Sequence, residues 1–278
     1  VMDLGIPLVL WGASVGPFEE NLAAKAYYTA LLRRMNLITV RERVTLNYLE
    51  SLGVSANTRL VADPAFVMDV QAGGPNQPAP PRHSGRAVIA VNLSPLSVQY
   101  ALGETRAADA QSEQAEAITR LIRQHNVDVL LVPHVVCGWR PVDDDFAYLQ
   151  GVFNHLPAAL RVRVKLVRPG LGAQNTKRLI ATCDALVAAR MHCAIAGMSV
   201  GVPTLLLAYS RKAIGMCEYV YGSRDFVLGM DAGPDEWSLR LSELLNPDCG
   251  IRSYLLERMK EVRADALKAG EHLAEVLS

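Results

Sequence analysis

The sequence lacks net charge: 28 Lys and Arg balance 28 Asp and Glu over 278 residues. No field therefore exists to hold a nucleic-acid backbone or an acidic membrane surface, and nucleic acid is not expected as a partner. Long apolar runs are missing too. The longest, such as Val202 to Ala208, fall far short of the roughly 20 residues that cross a bilayer. No charged-then-apolar leader is read at the start of the chain, so the expectation is a soluble, cytoplasmic protein with room for peripheral association at the inner face of the membrane. Cysteine is sparse: Cys137, Cys183, Cys193, Cys217 and Cys249 are odd in number and widely spaced. That suits neither a disulfide framework nor a zinc site and points to a reducing compartment.

Several chemical signatures are also absent. No G-x-G-x-x-G opens a βαβ unit, and there is no Walker loop, no G-x-S-x-G elbow and no H-E-x-x-H pair. Asp143-Asp144-Asp145 reads as helix-dipole and capping charge rather than a metal cluster. No metal and no cofactor are expected.

What is present is a large apolar fraction, 50% hydrophobic residues, enough for more than one domain. Strand-length apolar runs alternate with segments of helical period, the pattern of βα units around parallel sheets, so the class is α/β. In the first part, Ile6 to Ala13, Leu37 to Arg41 and Arg59 to Ala62 read as strands; Asn21 to Met35 and Val44 to Leu52 read as helices, the latter closed by Gly53. Residues 71–86 are rich in Pro, Gly and polar side chains and read as a linker, dividing an N-terminal part, 1–70, from a C-terminal domain, 87–278. The second part runs as strand Ala87 to Leu93, helix Ala107 to Gln124, strand Val129 to Val132, helix Asp143 to Leu156 and strand Val162 to Val167. Helix Asn175 to Thr182, strand Ala185 to Ala189, helix His192 to Val200, strand Pro203 to Ala208 and two further helices complete a doubly wound domain. The first part supplies only about three strands against the usual 4 to 6, and the chain opens on Val1, so the N-terminal domain is expected to be incomplete in this sequence.

Ligands of parallel sheets bind beyond the carboxyl ends of the strands. Five junctions of that kind carry polar residues: Gly12-Ala13-Ser14-Val15-Gly16-Pro17, Arg41-Glu42, Asn92-Leu93-Ser94, His134, and Arg190-Met191-His192. The glycines Gly12 and Gly16 suit either close ligand approach or plain turn chemistry. Arg41 ends the strand LITV, where its guanidinium suits a carboxylate or phosphate, or a structural pair with Glu42. Arg190 ends a fully apolar strand and costs several kcal/mol if buried unpaired. An anion is its natural companion, and His192 follows in the first helical turn, where backbone N–H groups also favour an anion. Tyr209, Arg211 and Lys212 follow the next strand.

The ordered set GIPLVLWGASVGPF, ITVRERVTLNYLESLGV, TRLVADPAF, the strand Val88 to Ser94 and CDALVAARMHCAIAGMSVGVPTLLLAYSRKAIG resembles the polysaccharide pyruvyl transferase family. The resemblance implies a glycosyltransferase B-like pair of Rossmann-type domains facing a cleft, the N-terminal one on the acceptor side and the C-terminal one on the donor side, with the last helices returning toward the first domain. It implies phosphoenolpyruvate as donor, held by Arg41, Arg190 and Lys212, with His192 as general acid and Gly12, Ser14, Gly16, Asn92, His134 and Tyr209 as further cleft residues. The acceptor it implies is a glycan, either a polysaccharide or a lipid-linked one. The family's further N-terminal strand-loop-helix is not found here. A nucleotide-sugar glycosyltransferase and a degenerate glycan-binding protein are the alternatives.

Overall fold

The structure, a computed structural model, describes residues 4–70, 85–103, 106–209 and 211–278; residues 71–84 of the expected linker lie outside them. The chain divides into two compact units, Val1–Val67 with Arg258–Ser278, and Met68–Glu257.

Unit 1 carries β1 (Val9–Ala13), α1 (Leu22–Arg34), β2 (Leu37–Val40), α2 (Arg43–Ser51) and β3 (Thr58–Leu60). The strands form a parallel sheet in the order β1-β2-β3. Strand β2 is buried throughout, so its run of apolar and β-branched residues, LITV, is what a central strand requires. Helix α1 starts where Asn21 Oδ1 accepts the N–H of Ala24, and the Asn57 amide closes its other end by donating to the carbonyls of Leu32 and Met35. Ile38, Val40 and Leu49 make the core with Leu32 and Val54.

Unit 2 carries β4 (Val88–Asn92), α3 (Pro95–Leu102), α4 (Ala107–His125), β5 (Asp128–Leu131), α5 (Asp145–His155), β6 (Val164–Leu166), α6 (Gly172–Ala181), β7 (Ala185–Ala188) and α7 (Met191–Met198). It continues with β8 (Thr204–Ala208), α8 (Arg211–Tyr221), β9 (Val227–Gly229) and α9 (Pro234–Leu245). All six strands are parallel, in the order β6-β5-β4-β7-β8-β9. Alternate residues of the sheet, among them Ile89, Val91, Val129, Leu131 and Val187, share a core with Ile118 of α4, Leu149 of α5 and Leu241 of α9. Helices α6 and α7 pack together, and α7 also packs on β7 and β8. The approach is close: a Cβ on Gly197 would stand 2.5 Å from Leu186 Cδ2 and 2.7 Å from Thr204 Oγ1. This explains the small residues of the segment CAIAGM.

Helix α10 (Ile251–Leu277) starts in unit 2, and its residues from Arg258 onward cluster with unit 1. Among the described residues no helix is long and apolar enough to cross a membrane.

The structure adds elements to the sequence expectation. Ser94 caps α3 by accepting the N–H of Ser97, with Pro95 in the first turn. Three helices, not two, follow β8, with the short edge strand β9 between the first two. The expected strand Val162 to Val167 begins as a 3-10 turn, Ala158–Arg163, and only Val164–Leu166 pairs with β5. Strand order reverses direction between β4 and β7, the switch point at which open α/β sheets leave a crevice.

Candidate active site

At that switch point the carboxyl ends of β4 and β7 are joined by one side chain. Asn92 Oδ1 accepts the N–H of Arg190 at 3.0 Å, and Asn92 Nδ2 donates to Val132 O at 3.0 Å and to Asp145 Oδ2 at 3.3 Å. Asparagine is required for this, because the site needs an acceptor on one side and a donor on the other.

Asp145 is the centre of the arrangement. It is fully buried, and Oδ1 accepts from Arg190 Nε at 3.1 Å and Nη2 at 2.8 Å. Its Oδ2 accepts the backbone N–H groups of His134 at 3.1 Å and Val135 at 3.0 Å. The neighbouring Asp144 is a helix cap, accepting from Ala147 N at 2.9 Å. One of the three acidic residues thus has the capping role expected of them, while Asp145 supplies from within the chain the anion that a buried Arg190 demands. Arg190 also donates from Nη2 to Asp143 O at 3.2 Å. Its Nη1 has no hydrogen-bond partner among the described residues. The guanidinium is therefore pinned along one edge.

His134 and His192 flank this pair. His192 is exposed in the first turn of α7, next to the Arg190 N-cap. His134 is half-buried, and its Nδ1 is buried without a partner. Burial pulls its pKa down to about 4; the Asp145 carboxylate opposes this, and His192 and Arg190 reinforce it. His134 is therefore a neutral imidazole near pH 7. It lines a cavity of about 160 Å³ with Val136, Arg168, Gly170, Gly172 and Thr176, at the ends of β5 and β6 and the start of α6. Gly170 and Gly172 have φ of +101° and +71°, and a Cβ on either would meet nothing within 4 Å.

In unit 1 the expected residues also assemble, around a different carboxylate. Arg41 donates from Nη1 to Asp63 Oδ2 at 2.6 Å and from Nε to Ser14 Oγ at 3.2 Å. Asp63 is buried, 3% exposed, and its other oxygen accepts the N–H of Ala65. Glu42, the neighbour weighed as Arg41's partner, accepts from Thr45 Oγ1 at 2.8 Å. The loop from Gly12 to Pro17 is stitched down: Gly12 N–H donates to Thr39 Oγ1 at 2.7 Å and Val15 N–H to Thr45 Oγ1 at 3.3 Å. Gly16, at φ +76°, lies directly against the Tyr48 ring, so its lack of a side chain has a structural reason.

The structure thus gathers Asn92, His134, Arg190 and His192 in unit 2, and Gly12, Ser14, Gly16 and Arg41 in unit 1. Lys212 is exposed in the first turn of α8, and Tyr209, directly after β8, stacks on Tyr100. Asp145 and Asp63 are the members that sequence reasoning missed. The signal available for both was the electrostatic demand of an arginine ending a buried strand. Among the described residues no group of three or more His, Cys, Asp or Glu side chains is placed to hold a metal ion.

The fold is that of GT-B glycosyltransferases and epimerases. A putative UDP-N-acetylglucosamine 2-epimerase from Listeria monocytogenes matches with a TM-score of 0.64 and 12% identity, over 100% of this chain and 69% of that one. HepE from Anabaena, in complex with UDP and glucose, gives 0.58 and 15% over 99% and 72%. A TarM mutant from S. aureus, in complex with Fondaparinux, alpha-GlcNAc-glycerol and UDP, gives 0.57 and 9% over 96% and 50%. The chain therefore spans only half the length of TarM. No curated protein matches the sequence. The sequence model of the polysaccharide pyruvyl transferases matches residues 1–211, and the chain belongs to that family.

Proposed function

We propose that the protein transfers pyruvate from phosphoenolpyruvate to a sugar of a glycan and closes it as a cyclic ketal. Family membership supports the reaction class. The observation that carries the residue assignment is the Arg190–Asp145 pair at the switch point, with an exposed His192 beside it.

The donor brings a carboxylate and a phosphate. Arg190, held by Asp145 so that its free nitrogen has a fixed direction, binds one of these anionic groups, and Lys212 supplies a second cation. His192 gives a proton to the methylene carbon, which becomes the methyl group of the ketal. A sugar hydroxyl attacks carbon two as the electron pair of the double bond takes that proton. A second hydroxyl of the same sugar then displaces phosphate, and the two hydroxyl protons leave to solvent or base. Such proton transfer from a positioned acid contributes about 10² to 10⁴ in rate. His134 is assigned no acid role, because burial keeps it neutral.

The test is incubation with phosphoenolpyruvate and a panel of glycosides, reading the mass gain of one pyruvate ketal and the release of phosphate. His192→Gln should keep donor binding by calorimetry while turnover falls by about two orders of magnitude or more. A variant with normal turnover, or one that loses only donor affinity, removes His192 as the acid. The second reading, glycosyl transfer from a nucleotide sugar, is favoured by the fold shared with HepE and TarM. It predicts nucleotide release and no consumption of phosphoenolpyruvate.

A further inference from the structure

The carboxyl edge of the unit 2 sheet carries aromatic rings that the chemistry above does not use. Tyr100, on α3 after β4, is 71% exposed, and Tyr209, directly after β8, is 39% exposed. Their rings stack on each other with centroids 6.0 Å apart and planes inclined by 19°. Trp139, in the loop after β5, is 83% exposed. All three follow strand ends on the ligand side of the sheet rather than the opposite edge. The segment carrying Trp139 is also tied to the anion-binding arginine: it leads into the turn Pro141–Asp143, which packs against α3, and Asp143 O accepts from Arg190 Nη2.

An exposed tyrosine ring has an apolar face and a polar rim. Two such rings leaning on one another are mutually braced, so less rotamer freedom remains to be lost when a ligand covers them. A pyranose has complementary chemistry, with C–H groups on its faces and hydroxyls around its edge. The rings follow separate strand ends around a charged site, which suits a sugar lying across a few aromatic faces better than a protein partner needing a continuous apolar patch.

We infer that Tyr100 and Tyr209 form a stacking platform for a pyranose ring of the acceptor glycan, beside the Arg190 site. The inference rests on the proposed reading of a glycan acceptor and assigns Tyr100 a binding role that the motifs do not include. The platform sets which acceptors are held, not how the donor reacts.

The test measures binding without turnover, so that it stands apart from the ketal reaction. Methyl glycosides and short oligosaccharides of the common hexoses are titrated into the protein by calorimetry in the absence of phosphoenolpyruvate, with wild type, Tyr100→Ala, Tyr209→Ala and Tyr100→Phe compared. At least one glycan should bind wild type, and each alanine variant should bind it roughly tenfold more weakly, whereas Tyr100→Phe, which keeps the ring, stays within about twofold. Phosphoenolpyruvate binding to Tyr100→Ala should match wild type, which also shows that the variant is folded. Unchanged glycan affinity in both alanine variants overturns the platform. So does failure of every glycan to bind wild type, or self-association of the wild-type chain that Tyr100→Ala abolishes. If a glycan binds as expected but no pyruvate is transferred, the platform stands and the proposed reaction falls.

Discussion

Replacing Asp145 by Asn removes one charge from a pair that has almost no water around it. Asp145 is fully buried and the Arg190 side chain is 12% exposed. One carboxylate oxygen faces Nε and Nη2 of Arg190; the other faces two backbone N–H groups and the Asn92 amide. Every neighbour of the carboxylate is a donor. An Asn side chain, turned either way, therefore sets its own N–H groups against donors while Arg190 loses its counter-ion. Removing one partner of a buried pair costs about 3–5 kcal/mol. The carbonyl of Asp143 and the partial exposure of Arg190 hold the cost within that range rather than above it. Since whole domains are stable by only about 5–15 kcal/mol, the loss should be plain in urea unfolding. The chain has three tryptophans, Trp11, Trp139 and the buried Trp237. In a Trp11→Phe, Trp139→Phe background, Trp237 fluorescence reports unit 2 alone. The double variant Asp145→Asn, Arg190→Met, whose amide oxygen still serves the His134 and Val135 N–H groups while no charge is left unpaired, should recover part of the loss. A shift below about 1 kcal/mol for Asp145→Asn refutes the assignment of Asp145 as the buried counter-ion, as does a double variant less stable than the single one.

His134 makes unit 2 sensitive to acid. Its pKa of about 4 in the folded chain lies below the ordinary 6.5, so the unfolded chain takes up the proton first. The stability is complete above pH 6.5, falls by about 3 kcal/mol as the pH drops to 4, and loses nothing further from this group below that. His134→Gln should flatten this part of the stability profile measured by denaturant titration; a profile parallel to wild type counts against it. Gly197→Ala gains about 1 kcal/mol of helix propensity yet should destabilise by about 1–3 kcal/mol through the clash with Leu186 and Thr204, seen as a lowered melting temperature. Transfer activity should survive chelator treatment, since among the described residues no group of three or more His, Cys, Asp or Glu is placed to hold a metal ion; loss of activity restored by one divalent ion per chain would show a metal requirement.

The alternation of strands and helices from Val88 to Ala208 was legible because parallel strands buried on both faces write themselves as unbroken apolar runs. Strand β9 was not, being a three-residue edge, VLG, with no run to detect. Helix α3 was missed although Ser94-Pro95 is a start signal, because its eight residues carry little helical period. The positions of Arg190 and His192 followed from sequence, since a charged residue ending an apolar strand stands out. Their electrostatic setting did not. Asp145 lies 45 residues from Arg190 in the chain and Asp63 lies 22 from Arg41. Sequence proximity pointed to Glu42 for Arg41, and parallel β2 and β3 also bring Asp63 to the same sheet edge.

Asn92 also governs how the protein ages. Hydrolysis of its amide would remove the donor that Val132 O and Asp145 share and place a second carboxylate where Nδ2 now stands, 3.3 Å from the first. Two carboxylates so close hold a proton between them, and the charge offered to Arg190 would no longer be that of Asp145 alone. The usual route to such damage is attack by the following backbone nitrogen on the side-chain carbonyl, which requires the chain to fold back on itself. An extended, fully buried strand end followed by Leu93 withholds that geometry. Deamidation at this position must pass through opening of the sheet, so the chemical lifetime of the site is set by how rarely β4 and β7 separate.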